Sequence, residues 1–221
     1  MSTFLRACLT LGVVGALAGP AGAASLTIWI DPAVGSTEST GATASLTFTF
    51  SESGPHDLLS IVVQNTTPAA IGSTLTAFGF EVPSVVSAAS LASGGTSTYF
   101  DVLDRNVSVA PGWMNAAGGY DVMITSDHSF EGGNPNGGVT AGQWQSVMLS
   151  LGDTGLTPVA LRDAFETLYD GAPGPFAIAR FQQVGPGAEG SDKVGGRVPE
   201  PAGLAWLILG AALWQRKRSS Y

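Results

Sequence analysis

The chain has 221 residues, with 17 Asp and Glu against 9 Lys and Arg, a net charge of −8, and one cysteine. An acidic balance repels nucleic acid and anionic lipid, so a nucleic-acid partner is not expected. One cysteine excludes an intrachain disulfide framework and cysteine-ligated zinc or iron–sulfur centres.

Residues 1–23 read as a signal peptide. Arg6 precedes an apolar stretch from Ala7 to Ala18, and Pro20 leads into small residues at Ala21 and Ala23. This pattern predicts cleavage between Ala23 and Ala24 and removal of Cys8, leaving a mature chain without a thiol nucleophile.

Residues 24–184 alternate like strands. Leu26, Ile28 and Ile30 share one side of Ser25 to Ile30, and Ala44, Leu46, Phe48 and Phe50 alternate with Ser45, Thr47, Thr49 and Ser51. Leu58 to Val63 is a nearly continuous apolar run, which predicts a more deeply buried strand. Further strands are predicted at Thr74 to Val82, Thr98 to Val102, Tyr120 to Thr125, Gln145 to Leu151 and Phe176 to Gln182, mostly separated by Gly and Pro clusters. Short strands at this spacing predict an all-β fold, an antiparallel β-sandwich or jelly roll. The exception is Thr157 to Asp170: Thr157 can cap, Pro158 suits a first turn, and Leu161, Ala164, Phe165 and Leu168 share a face. This predicts one short helix laid across the sandwich, with Arg162, Asp163 and Glu166 on its solvated side. Residues 185–197 are rich in Gly and polar side chains and are expected to form a flexible stalk.

Residues 198–221 have three parts: the turn Pro199, Glu200, Pro201; an apolar run over 202–214; and the basic end Arg216, Lys217, Arg218. The prolines exclude a regular helix at the turn, and the run beyond them has no charged residue to hold it in water. The basic triplet predicts a cytoplasmic end, with the preceding domain outside. Thirteen residues span only about 20 Å as a helix, against a hydrocarbon core of about 30 Å, which suits a processed tail better than a permanent anchor.

In order and position this tail resembles the PEP-CTERM sorting signal of bacterial exported proteins. The resemblance implies recognition by exosortase, a membrane-embedded cysteine transpeptidase-like enzyme to which cutting near the Pro-Glu-Pro motif is attributed. It also implies contact with the membrane through residues 202–214 and delivery to the cell surface or extracellular matrix. Stretches such as Leu59 to Thr66, Gly72 to Phe80, Phe130 to Gly138 and Ala179 to Gly185 resemble the ectodomains of such proteins, for which the resemblance implies no particular activity.

Chemistry-bearing residues are sparse. His56 and His128 each adjoin an aspartate, Asp57 and Asp127, but Asp127, His128 and Ser129 are consecutive, and neighbouring residues of a strand face opposite ways. No Gly-x-Ser-x-Gly elbow is present. Asp101 with Asp104, or Asp127 with Glu131, would make carboxylate pairs, yet the turn-rich context gives neither a low-dielectric cleft. Calcium could take oxygen ligands from Asp101, Asp104 and Asn106, or from Asp127, Glu131, Asn134 and Asn136, though neither set has EF-hand spacing. Asn65-Thr66-Thr67 and Asn106-Val107-Ser108 match a glycosylation sequon that is too common to predict much. No catalytic residue, resident metal or cofactor is therefore expected.

Two functions follow. One is a non-enzymatic, exported structural or adhesive protein. The alternative is a carbohydrate-binding β-sandwich, with or without calcium, whose partner is an extracellular polysaccharide held on Trp29, Trp113 or Trp144. Exposure of the tryptophans favours the second and burial the first. Trp144 opens an alternating strand and is expected to be packed; Trp113, after Pro111 and Gly112, is expected to be exposed.

Overall fold

In a computed structural model that describes residues 23–116, 118–126, 130–131, 135–170 and 175–198, eleven strands and one α-helix form. The strands are β1 (Ala24–Ile30), β2 (Ala44–Ser53), β3 (His56–Asn65), β4 (Thr74–Phe80), β5 (Ser90–Ala92), β6 (Val102–Val107), β7 (Tyr120–Thr125), β8 (Val139–Thr140), β9 (Trp144–Ser150), β10 (Ala177–Val184) and β11 (Gly190–Arg197), with helix α1 (Pro158–Tyr169) between β9 and β10. No described helix is long and apolar enough to cross a membrane. The expected signal segment through residue 22 and the tail from Pro199 onward lie outside the described residues.

The pairing runs β5-β9-β3-β2-β1-β11-β10-β4-β7-β6, antiparallel throughout, with β8 attached to β4. The fold is thus all-β and antiparallel, as expected, but its strands form one sheet. The terminal strands β5 and β6 come close together, so that sheet is nearly closed like a barrel.

Alternation decides which side of each strand faces in. In β2, Leu46, Phe48 and Phe50 are buried, while Thr47, Thr49 and Ser51 are half-buried on the other side. β3 follows the same rule, with Leu59, Ile61 and Val63 inside and Leu58, Ser60 and Val62 outside, so its apolar run does not make it buried on both faces. Across the interior the rings of Phe48 and Phe80 lie 4.8 Å apart. Helix α1 is N-capped by Thr157, whose hydroxyl accepts from the Ala160 N–H at 3.3 Å. Its buried residues Leu161, Phe165 and Tyr169 join the same core, where Phe165 meets Phe50 at 5.0 Å and Phe48 at 6.0 Å. Burial of each such side chain contributes about 1.5–3 kcal/mol.

A second, smaller core lies outside the sheet. Ala77, Tyr120, Met123 and Ile178 cluster there with Val109, Met114, Ala116 and Phe130 from the connections that follow β6 and β7. On one rung Ile178 is paired with Gly79, and Gly79 with Met123. A Cβ at Gly79 would lie only 2.8 Å from the Met123 sulfur, so the missing side chain is what lets the methionine lie down.

Two expectations are corrected here. The stretch expected to be a stalk forms β11, hydrogen-bonded between β1 and β10, so the folded domain continues to Val198. Its glycines serve close approach: a side chain at 196 would overlap Ile30, and one at 195 would press on Pro175. Asp192 and Val194, which precede these glycines in the strand, are buried. The other correction concerns Thr98 to Val102, where a turn replaces the expected strand. The Ser97 hydroxyl accepts from the backbone N–H groups of Tyr99 and Phe100, occupying donors that a ladder would use, and the strand starts only at Val102.

Candidate functional site

The sorting residues Pro199, Glu200, Pro201, Arg216, Lys217 and Arg218, together with Ala21, lie outside the described residues. Ala23 is exposed just before β1, and Ala24 is that strand's first residue. Of the residues considered for chemistry, Asp127, His128, Ser129 and Asn134 also lie outside. His56 is exposed at the β2–β3 hairpin, and its neighbour Asp57 turns inward to accept from the Thr154 N–H at 2.8 Å and hydroxyl at 2.6 Å. Asp57 thus anchors the connection before α1. Asn65, the first sequon asparagine, is buried; its amide donates to the carbonyls of Ser73 and Val139, and its oxygen accepts from the Thr67 N–H. It ties β3 to the starts of β4 and β8. No group of three His, Cys, Asp or Glu suited to a metal ion occurs among the described residues.

Glu131 is drawn into an ion-pair cluster. Lys193 contacts it at 2.6 Å and also donates to the Ala110 carbonyl, while Arg180 lies 3.3 Å away and donates to the Phe130 carbonyl at 2.8 Å. Both cations rise from one rung of β10 and β11 and fasten the outer cover beside the second core. Burial pushes the Arg180 guanidinium below its ordinary pKa, against the opposing pull of Glu131. Beside this cluster a cavity of about 380 Å³ is lined by Glu38, Pro111 and Asp192 among others.

Asp192, only 1% exposed, also lines that cavity. Its carboxylate accepts from the hydroxyls of Ser36, Thr37 and Thr40 and from the N–H groups of Thr37, Glu38 and Thr40. Burial pushes its pKa up, but these hydrogen bonds, led by those from Thr40, outweigh burial and hold it below the usual carboxylate range. Nothing local in the sequence announces this site, because its partners lie some 155 positions away.

A second group, also unforeseen, surrounds Glu81. Its carboxyl is raised by burial and then by Asp121, whose own carboxylate accepts from the Val82 N–H at 3.0 Å. The Tyr169 hydroxyl donates to the Glu81 carbonyl at 2.6 Å, and burial followed by the Glu81 charge pushes that phenol well above its ordinary pKa.

The tryptophans differ from expectation in one respect. Trp29 is 49%, Trp113 59% and Trp144 57% exposed, so Trp144 is not packed. The parity of β9 explains this: Val147 and Leu149 point inward, and Trp144 shares the opposite, outward side with Ser146 and Met148. Trp29 stands outward for the same reason, between the buried Ile28 and Ile30. Trp113 instead belongs to the 3-10 turn Gly112–Met114, with its ring over Gly35.

Comparison with protein-family models, with curated proteins and with solved structures finds no match to this chain.

Proposed function

We propose that the chain is an exported, non-enzymatic surface protein, carried across the membrane by residues 1–23 and sorted by exosortase through the PEP-CTERM-like tail, with the β-domain serving a structural or adhesive role at the cell surface or in the extracellular matrix. In this reading the apolar segments at both chain ends are helices that meet the same membrane. The supporting observation is where the first and last described strands end. β1 opens at Ala24, the residue after the expected cleavage point, and β11 closes at Arg197, two residues before Pro199. Trp29 is paired with Arg197 and the two strands are antiparallel, so the chain leaves β11 heading toward the end of β1 at which it began. The two strand ends next to the expected membrane segments therefore point the same way.

The reading is tested in the native host. Glu200→Ala, or replacement of Arg216, Lys217 and Arg218 by Gln, is expected to leave export intact while unprocessed protein accumulates in the membrane. Mass spectrometry showing that the surface form of the unaltered chain retains Trp206 to Tyr221 would overturn it.

A second reading, a carbohydrate-binding domain, is favoured by the exposure of all three tryptophans. A purely structural domain would be expected to bury such side chains. Calcium has no supporting observation of this kind.

A further inference from the structure

The strand registers place Trp29 beside Ser45, Ser45 beside Gln64, and Gln64 beside Trp144, so these four residues form one continuous rung across β1, β2, β3 and β9. All four have outward parity. Trp29, Gln64 and Trp144 are exposed, and Ser45 is buried in their midst. Three strand spacings, about 14 Å, separate the backbones that carry the two indoles. Below this rung the same outer face carries hydroxyls that pair with one another, Thr27 with Thr47 at 3.2 Å and Ser25 with Thr49 at 3.3 Å. No ionisable side chain stands on the face from Ser25 to Trp144, although the chain as a whole has a net charge of −8. Arg197, paired with Trp29, marks its margin.

We propose that this outer face binds a linear, uncharged polysaccharide, with Trp29 and Trp144 stacked on two of its sugar rings and Gln64 hydrogen-bonded to hydroxyls between them. The proposal rests on the carbohydrate-binding reading above and narrows it to one face and one class of polymer. It does not depend on the tail.

Charge and shape select this occupant. A polyanion would find no cation on the face except Arg197 at its edge, and it would be repelled by the acidic molecule around it. A protein partner would ask for a contiguous apolar patch, whereas Ser45 and Gln64 interrupt the space between the indoles. Sugar rings match this alternation, since their C–H faces stack on indole while their edges need polar groups. The sheet curves into a barrel and successive strands twist, so the two indoles do not share a plane. A single flexible chain can follow them; a flat crystalline surface cannot.

The test is affinity electrophoresis of the detergent-solubilised full chain through native gels containing mixed-linkage β-glucan, xylan, dextran or alginate. At least one of the three neutral polymers is expected to retard the protein, and added salt is not expected to relieve that retardation. Trp29→Ala and Trp144→Ala should each weaken the interaction about tenfold, and the double variant should migrate as in a plain gel. Trp113→Ala, off this rung, should behave like the parent. Circular dichroism should be unchanged in every variant, since all three side chains are exposed. If Trp113→Ala alone abolishes retardation, the carbohydrate reading survives and this face is wrong. If no neutral polymer retards the parent, or only alginate does, both fall. The face is also wrong if the double variant changes only the oligomeric state, which would mark it as a protein interface.

Discussion

The two outer faces of the sheet solve the same problem in opposite ways. Over the central rung of β10, β4 and β7 the outward residues are apolar or absent, as at Ile178, Gly79 and Met123, and the connections carrying Val109, Met114 and Phe130 cover them. Over β1, β2, β3 and β9 the outward residues are mostly Ser and Thr, no described cluster of buried apolar side chains lies over the central rungs, and two tryptophans stand exposed. An antiparallel sheet tolerates water on one side when that side is polar. Adding a cover therefore requires a second apolar set, and leaving one off requires hydroxyls. The tryptophans satisfy neither need, which is why the proposed polysaccharide is placed on them.

Breaking the covered face should cost most. Ile178→Ala removes a fully buried side chain from the second core and is expected to destabilise the domain by about 3 kcal/mol in denaturant unfolding, whereas Val62→Ala, outward and half-buried on the bare face, should change it by about 0.5 kcal/mol or less. Equal losses would mean that the cover adds nothing. The boundary between the faces comes next. Asp192 lies in β11 and holds the segment from Ser36 to Thr40, so Asp192→Ala strands the N–H donors of Glu38 and Thr40, while that of Thr37 keeps the Lys193 carbonyl, and should cost about 2 kcal/mol. The folded carboxyl is held below its ordinary pKa, so its contribution is complete above the unfolded value, about 3.9, and is lost as pH falls through the lower folded value. Unfolding free energy of the parent should decline below about pH 4, and Asp192→Asn should lack that part of the decline.

These features were unequally legible in the sequence. Where one side of a strand meets the interior, alternation alone places it: Tyr120 to Thr125 has the bounds expected, and β2 differs only by extension to Ser53. The capping Thr157 and Pro158 located α1 equally well, because those signals act within one helical turn. The last strand was hidden because glycine encodes both slack and close approach, and only contact with Ile30 and Pro175 decides between them. The network of Asp192 was hidden for a similar reason, since its donors are distant in sequence. Trp144 was a different case. Its parity with Ser146, opposite to Val147, carried the information, and the general tendency of tryptophan to be buried obscured it.

The smaller effects sharpen the comparison. Tyr120 is buried under the cover and its hydroxyl donates to the Met114 carbonyl at 2.5 Å, the link that ties the cover's turn to the start of β7. Burial, and then the charge of Glu81, push this phenol far above its ordinary pKa, so it stays protonated and the donor persists through alkaline conditions. Tyr120→Phe should therefore cost only the one hydrogen bond, about 1 kcal/mol. The bare face offers the matched control. Thr27 and Thr47 share a hydroxyl pair at 3.2 Å that water can replace on either side, so Thr27→Val should change unfolding free energy by about 0.5 kcal/mol or less. Valine keeps the branched shape that suits a strand and removes only the hydroxyl. A loss as large as that of Tyr120→Phe would mean that the hydroxyl ladder holds the sheet together; a negligible loss leaves those groups free to face a ligand.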